Sequence, residues 1–141
     1  MIKTEAAYQK ALQKIKEDIE FIQSERTRFE QMGLTPSQVE KAVEPLISFH
    51  EQLQEEVTYY EKTRRGEFDP IVNFSTIGRT LIAYRIFIGM SQHELADNLG
   101  VPESQVSRDE RNEYYGATKE RIGEVMDAMG MKTVTRIELT A

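Results

Sequence analysis

The sequence predicts an all-α fold in two parts, an N-terminal antiparallel helical hairpin followed by a four-to-five-helix domain. Three observations lead there. Over residues 1–65 apolar side chains recur every three or four positions, the period of one helix face. From Ser75 onward, Ser and Thr caps and Gly stops follow one another closely and divide the chain into short helices. Only the last stretch, MKTVTRIELT, alternates and is rich in β-branched residues, as a short strand would be.

The first helix carries Tyr8, Leu12, Ile15, Ile19, Ile22 and Phe29 along one stripe, broken by Arg26 where an apolar residue is due. That is an a/d seam of about three heptads. Gly33 stops it, being comfortable at positive φ. Thr35, Pro36 and Gln38 then read as a Thr-x-x-Gln capping box with proline in the first helical position. The second helix presents Val39, Ala42, Val43, Leu46, Phe49, Leu53, Val57 and Tyr60. Pro45 cannot donate an amide and should kink or restart it. The short connection predicts an antiparallel pair. So small a hairpin leaves much surface uncovered, so it calls for a partner: a second copy, the other half of the chain, or another protein.

Residues 66–73 contain Gly66 and Asp69-Pro70, lose the heptad order and read as a linker. In residues 74–130, Ser75 is expected to cap a helix over about Thr76–Ile88, ended by Gly89. Ser91 caps the next, Gln92–Leu99, with Glu94 closing a capping box. A third runs from Pro102 or Glu103 to Asn112, and Thr118 caps a fourth that ends at Met129 before Gly130. Residues 131–141 read as the strand. An isolated strand leaves its amides unpaired, so the same strand of a second copy is the simplest neighbour.

Composition removes several function classes. A chain of 141 residues suits one domain or two small ones and offers no large enzyme interior. Without cysteine there are no disulfides, thiolate zinc sites or thiol nucleophiles. The two histidines, His50 and His93, sit among carboxylates on helix faces that should be solvated, so no metal site is expected. Carboxylates are plentiful but scattered, no pair stands out for acid–base work, and no glycine loop cradles a phosphate. Neither catalysis nor a cofactor is expected. No apolar run approaches the roughly 18–20 residues of a membrane span. The N-terminus, MIKTEAAYQKALQKIKEDIE, reads as a charged amphipathic helix rather than the apolar core of a signal peptide. These features point to a soluble cytoplasmic protein.

The segment Met90–Glu110, MSQHELADNLGVPESQVSRDE, is the most informative. Two short capped helices flank Leu99-Gly100-Val101, with buried-type residues at Leu95, Ala96, Leu99, Val101 and Val106. Ala96 is small where two helices must approach, and Gly100 permits a sharp turn between them. Together these constraints define a helix-turn-helix.

On Ser91-Gln92, Glu94-Leu95-Ala96, Gly100-Val101, Val106-Ser107 and Glu110, the segment resembles the Xre-type, phage-repressor-like helix-turn-helix family. The resemblance covers about Thr76–Gly130 and leaves the hairpin outside. The order of hairpin, linker and helix-turn-helix is similar to small bacterial regulators and antitoxins. It implies that the second helix of the unit enters the major groove with its N-terminal residues on base edges. Glu103, Ser104, Ser107 and Arg108 then form the exposed face, with Gln105 at its edge. Arg108 is the expected base reader, since a guanidinium can bind guanine O6 and N7 together. Gln92 matches the family's phosphate-clamping position at a helix N-terminus, and Arg111 a second phosphate contact. Arg79, Tyr114, Tyr115 and Lys119 are further candidates from flanking turns. Arg85 and Glu110 occupy the positions of a partly buried ion pair beneath the DNA face.

Two departures stand out. Asp109 stands where the family usually has an apolar residue, and Arg111-Asn112-Glu113-Tyr114 replaces a Gly-containing turn, so Tyr114 or Tyr115 is expected to cover the core from the loop. The resemblance implies a homodimeric transcriptional regulator, repressor-like, on double-stranded operator DNA with palindromic half-sites. The alternative it implies is an antitoxin that neutralises a toxin and represses its own operon. The net charge of −6 opposes this at first sight. Split at residue 70, however, the N-terminal part carries −4 and the remainder only −2, so most of the acidity belongs to the hairpin.

Overall fold

The computed structural model describes residues 1–140, which form six helices and, among the described residues, no strand. The chain divides into two compact units, residues 1–62 and a second from Thr63 onward.

The first unit holds α1 (Glu5–Gln31) and most of α2 (Pro36–Arg64). Thr4 caps α1, its hydroxyl accepting from the Ala7 amide at 3.1 Å. Gly33 follows at φ +87°, where a side chain would be strained. The capping box that starts α2 is present: Gln38 N donates to Thr35 Oγ1 at 3.3 Å, and Thr35 N donates to Gln38 Oε1 at 2.9 Å. The helices run antiparallel. At one end the rings of Tyr8 and Tyr60 lie 5.0 Å apart, and at the other Arg26 pairs with Glu40. The one break in the α1 seam is therefore a charge that reaches the neighbouring helix. Ala11, Val39, Val43, Val57 and Tyr60 are buried.

Of the two outcomes expected at Pro45, the restart does not occur: α2 continues through it as one helix, with buried Val39 and Val43 before the lost amide and Val57 and Tyr60 after it. One expectation for α2 is corrected. His50 is half-buried rather than solvated, and its Nδ1 has no hydrogen-bond partner among the described residues.

The second unit contains α3 (Ile77–Phe87), α4 (Gln92–Leu99), α5 (Glu103–Arg111) and α6 (Lys119–Met129). Helix α4 packs on α5 and α6, and α3 touches the same two. Leu81, Ile82, Leu95, Val106 and Val125 form the buried centre. Cutting Leu81 or Leu95 back to alanine would cost about 2–5 kcal/mol in lost transfer energy and cavity formation. Most of the segment read as a linker is exposed, but it is tethered at Phe68, whose ring stands edge-on to Phe87 at 5.5 Å and 6.2 Å from Tyr84. Ser75 does not cap α3. Its hydroxyl donates to the Val72 carbonyl at 2.8 Å, and Thr76 holds the cap position without a side-chain bond.

The loop between α5 and α6 places Glu113 and Tyr114 at φ +51° and +56°, the left-handed region that side chains enter at a cost. It rests on Gly78 of α3, where an added Cβ would lie 1.8 Å from the Glu113 carbonyl oxygen. Only glycine lets the loop come so near. Tyr114 is buried and covers the core, whereas Tyr115 is 94% exposed. Thr118 caps α6, and Gly130 ends it at φ +66°.

The expected C-terminal strand is not present. Residues 131–140 take neither helix nor strand, and Val134, Ile137 and Leu139 are exposed. A single copy supplies no strand beside this segment, and an unpaired strand gains no ladder bonds. Ala141, the last residue of that expectation, lies outside the described residues. Among the described residues, no helix is long and apolar enough to cross a membrane.

Candidate nucleic-acid interface

Helices α4 and α5 are joined by Gly100, Val101 and Pro102. Gly100 takes the left-handed cap conformation at φ +69°, and the Val101 amide closes the turn on the Ala96 carbonyl at 3.0 Å. The start of α4 is fixed by a complete capping box: Glu94 N donates to Ser91 Oγ at 3.0 Å, and Ser91 N donates to Glu94 Oε1 at 3.4 Å. Ala96 is buried where the helices meet. Pro102 makes no side-chain cap for α5, so the first amides of that helix remain for an outside acceptor.

At 100° per residue, Ser104, Arg108 and Arg111 share one exposed face of α5, with half-buried Ser107 at its side next to Arg111 and Val106 and Glu110 turned inward. Glu103 is exposed but lies off this face, beside the His93 ring (Nδ1–Oε2 3.5 Å). His93 also approaches Asp97, with Nε2–Oδ2 at 3.3 Å. Gln105 flanks Arg108 on the other side, with its amide 2.8 Å from Nη1 and Nη2 of Arg121, a contact that assigns the amide oxygen to the guanidinium side. That oxygen is committed to α6. Glu103, expected on the face with Ser104 and Arg108, is turned about 140° from Arg108 by the helix phase, and Gln105 lies at the edge of the face, as expected.

Beneath the face lies a buried ion pair. Arg85 Nε donates to Glu110 Oε2 at 2.5 Å and Nη2 to Oε1 at 2.7 Å, with the two residues 5% and 1% exposed. Arg85 Nη1 also donates to the Met90 carbonyl at 2.8 Å. Gln92 Nε2 donates to Glu110 Oε1 at 2.9 Å. One carboxylate thus ties α3, α4 and α5 together and satisfies its lone pairs inside the protein. It also orients Gln92 at the mouth of α4, so this side chain has an internal partner as well as its expected place at the helix start.

Asp109, anomalous as a packing residue, forms an ion pair with Arg121 of α6. Sequence reasoning missed Arg121. The signal was the mismatch at Asp109, which asked for an opposite charge, but the answer lies on another helix beyond a loop. Burial, with the carboxylates of Glu110 and Asp109 close by, raises the Tyr114 hydroxyl above its ordinary pKa. Of the flanking candidates, Tyr115 and Lys119 are exposed, Tyr114 is buried in the core, and Arg79 stands 3.9 Å from Glu113.

No protein-family model, curated protein or solved structure matches this chain.

Proposed function

We propose that the protein is a sequence-specific DNA-binding regulator, repressor-like, that acts as a homodimer on a palindromic operator. The observation that carries this reading is the face of α5. Ser104, Arg108 and Arg111 project from a short helix whose inner side is locked by the Arg85–Glu110 pair. The shape suits a major groove, which admits a single helix and displays guanine acceptors to an arginine fork. Ser104 can donate or accept, and the exposed guanidinium of Arg111 offers a charge to a phosphate. The uncapped amides of α5 and the ordered N-terminus of α4 with Gln92 offer further donors to the backbone.

One such unit makes too few contacts to discriminate a genome, which supports two copies on paired half-sites. The net charge of −6 keeps non-specific attraction low, so local arginines and dimer geometry must supply selectivity. Selection of binding sites from random duplex DNA tests the proposal. Recovery of a two-fold symmetric sequence, bound with an affinity that falls steeply with salt, supports it. Recovery of no preferred sequence overturns it.

A further inference from the structure

We infer that Gln105 selects a guanine beside the base met by Arg108, and that Arg121 of α6 is the positioning residue that sets this choice. The inference rests on the DNA reading of α5 and names the base that one of its side chains prefers. Gln105 is the third residue of α5, and the first turn of such a helix is the part that meets base edges. It stands three residues before Arg108 and about 60° round the helix, so the two side chains leave neighbouring points of one surface. Arg108 is exposed, whereas Gln105 is half-buried and its amide is held from outside its own helix.

A glutamine that is free to turn can read adenine with both ends of its amide, the oxygen accepting from N6 while the nitrogen donates to N7. Here the oxygen is taken. Nη1 and Nη2 of Arg121 each stand 2.8 Å from the amide, two donors for the two lone pairs of one oxygen. Arg121 is held in turn by Asp109, to which Nη2 also donates. Gln105 and Asp109 are four residues apart on α5, the spacing that lets one guanidinium span both. What is left to Gln105 is its NH2 group, two donors and no acceptor. Guanine shows two acceptors in the major groove, O6 and N7. Adenine pairs its N7 with the N6 donor, thymine shows only O4, and cytosine shows only a donor. A donor-only amide therefore favours guanine and sets donor against donor at adenine N6. Arg108 is donor-only as well, so the two side chains together ask for neighbouring guanines.

Site selection from random duplex DNA with the full chain tests this, with circular dichroism confirming that each variant is folded. The wild type should return two neighbouring guanines in each half-site. Gln105→Ala should relax one of them, losing a discrimination against adenine of about 5–150-fold, while the other stays fixed. Asp109→Leu with Arg121→Met leaves neither charge unpaired and frees the amide to turn, so adenine should be accepted at that same position. Arg121→Lys, whose ammonium can still donate to the amide oxygen, should keep the guanine. A clamp that only stabilises the fold would leave the preferred base unchanged in all three. Guanine kept by Gln105→Ala, or by the freed amide, would overturn the inference. A loss shared by all sequences in Gln105→Ala would put the amide on a phosphate and overturn it too. A wild type that selects an operator without neighbouring guanines would refute this inference alone. A wild type that selects no sequence would refute the DNA reading and this inference with it.

Discussion

Arg85 and Glu110 meet through two parallel N–H···O bonds in the interior of the second unit, and the same carboxylate accepts from Gln92. Removing one partner strands a charge where water cannot reach it. Arg85→Ala or Glu110→Ala should therefore cost about 3–5 kcal/mol in chemical denaturation. The double change Arg85→Met with Glu110→Leu should recover most of that loss, because apolar side chains of similar volume need no partner. Equal losses in the single and double variants would show that packing, not charge, holds α3 to α5.

Gly78 supports the loop that carries Glu113 and Tyr114. An alanine methyl there would overlap the Glu113 carbonyl, which is backbone and cannot swing away. Gly78→Ala should lower stability by at least about 1–3 kcal/mol, the usual range for forced repacking. A Gly123→Ala control, whose added Cβ meets nothing within 4 Å, should be neutral or slightly stabilising through helix propensity. Thermal melts of the two variants make the comparison.

Tyr114 gives the fold a limit on the alkaline side. Its hydroxyl is held protonated by burial and by neighbouring carboxylates, so its folded pKa lies above the unfolded value of about 10. The stability from this residue is complete below that unfolded value and is lost as pH rises above it, since the unfolded chain then releases a proton that the folded chain retains. Tyr114→Phe should flatten the fall of stability above about pH 10. An unchanged alkaline slope in urea titrations would assign the loss to other tyrosines.

Asp109 and Arg121 are partly buried, and each removal should cost less than breaking the Arg85 pair. Asp109→Leu tests whether an apolar residue can serve at this position. With Arg121→Met beside it, stability should be close to that of the wild type, and with Arg121 retained it should be lower. Additive effects of the two changes in a double-mutant cycle would show that the pair is not coupled.

Much of this architecture was legible in the sequence because its signals are local. The capping boxes at Thr35–Gln38 and Ser91–Glu94 involve residues three apart, and both helices begin where those boxes place them. Gly100 and Gly130 mark the left-handed ends they were expected to mark. What was not legible depends on distant partners. Asp109 finds Arg121 across a loop, Gly78 finds the Glu113 carbonyl, and Phe68 packs on Phe87 from a segment with the composition of a linker. The alternating residues near the C-terminus raise the opposite problem: strand propensity was visible, but a strand needs a neighbour that one copy does not contain. Within the candidate interface, residue types pointed to α5, and the contact of Gln105 with Arg121 of α6, invisible in sequence, then set it apart from Arg108.

Arg108 decides the functional account. The direct measurement is a mobility-shift titration of wild type and Arg108→Ala on the duplex recovered by site selection and on a scrambled duplex of equal length. The account predicts that the wild type prefers the selected duplex. It also predicts that Arg108→Ala loses about 1–3 kcal/mol on that duplex, with little change on the scrambled one. Equal binding of both proteins to both duplexes would contradict it.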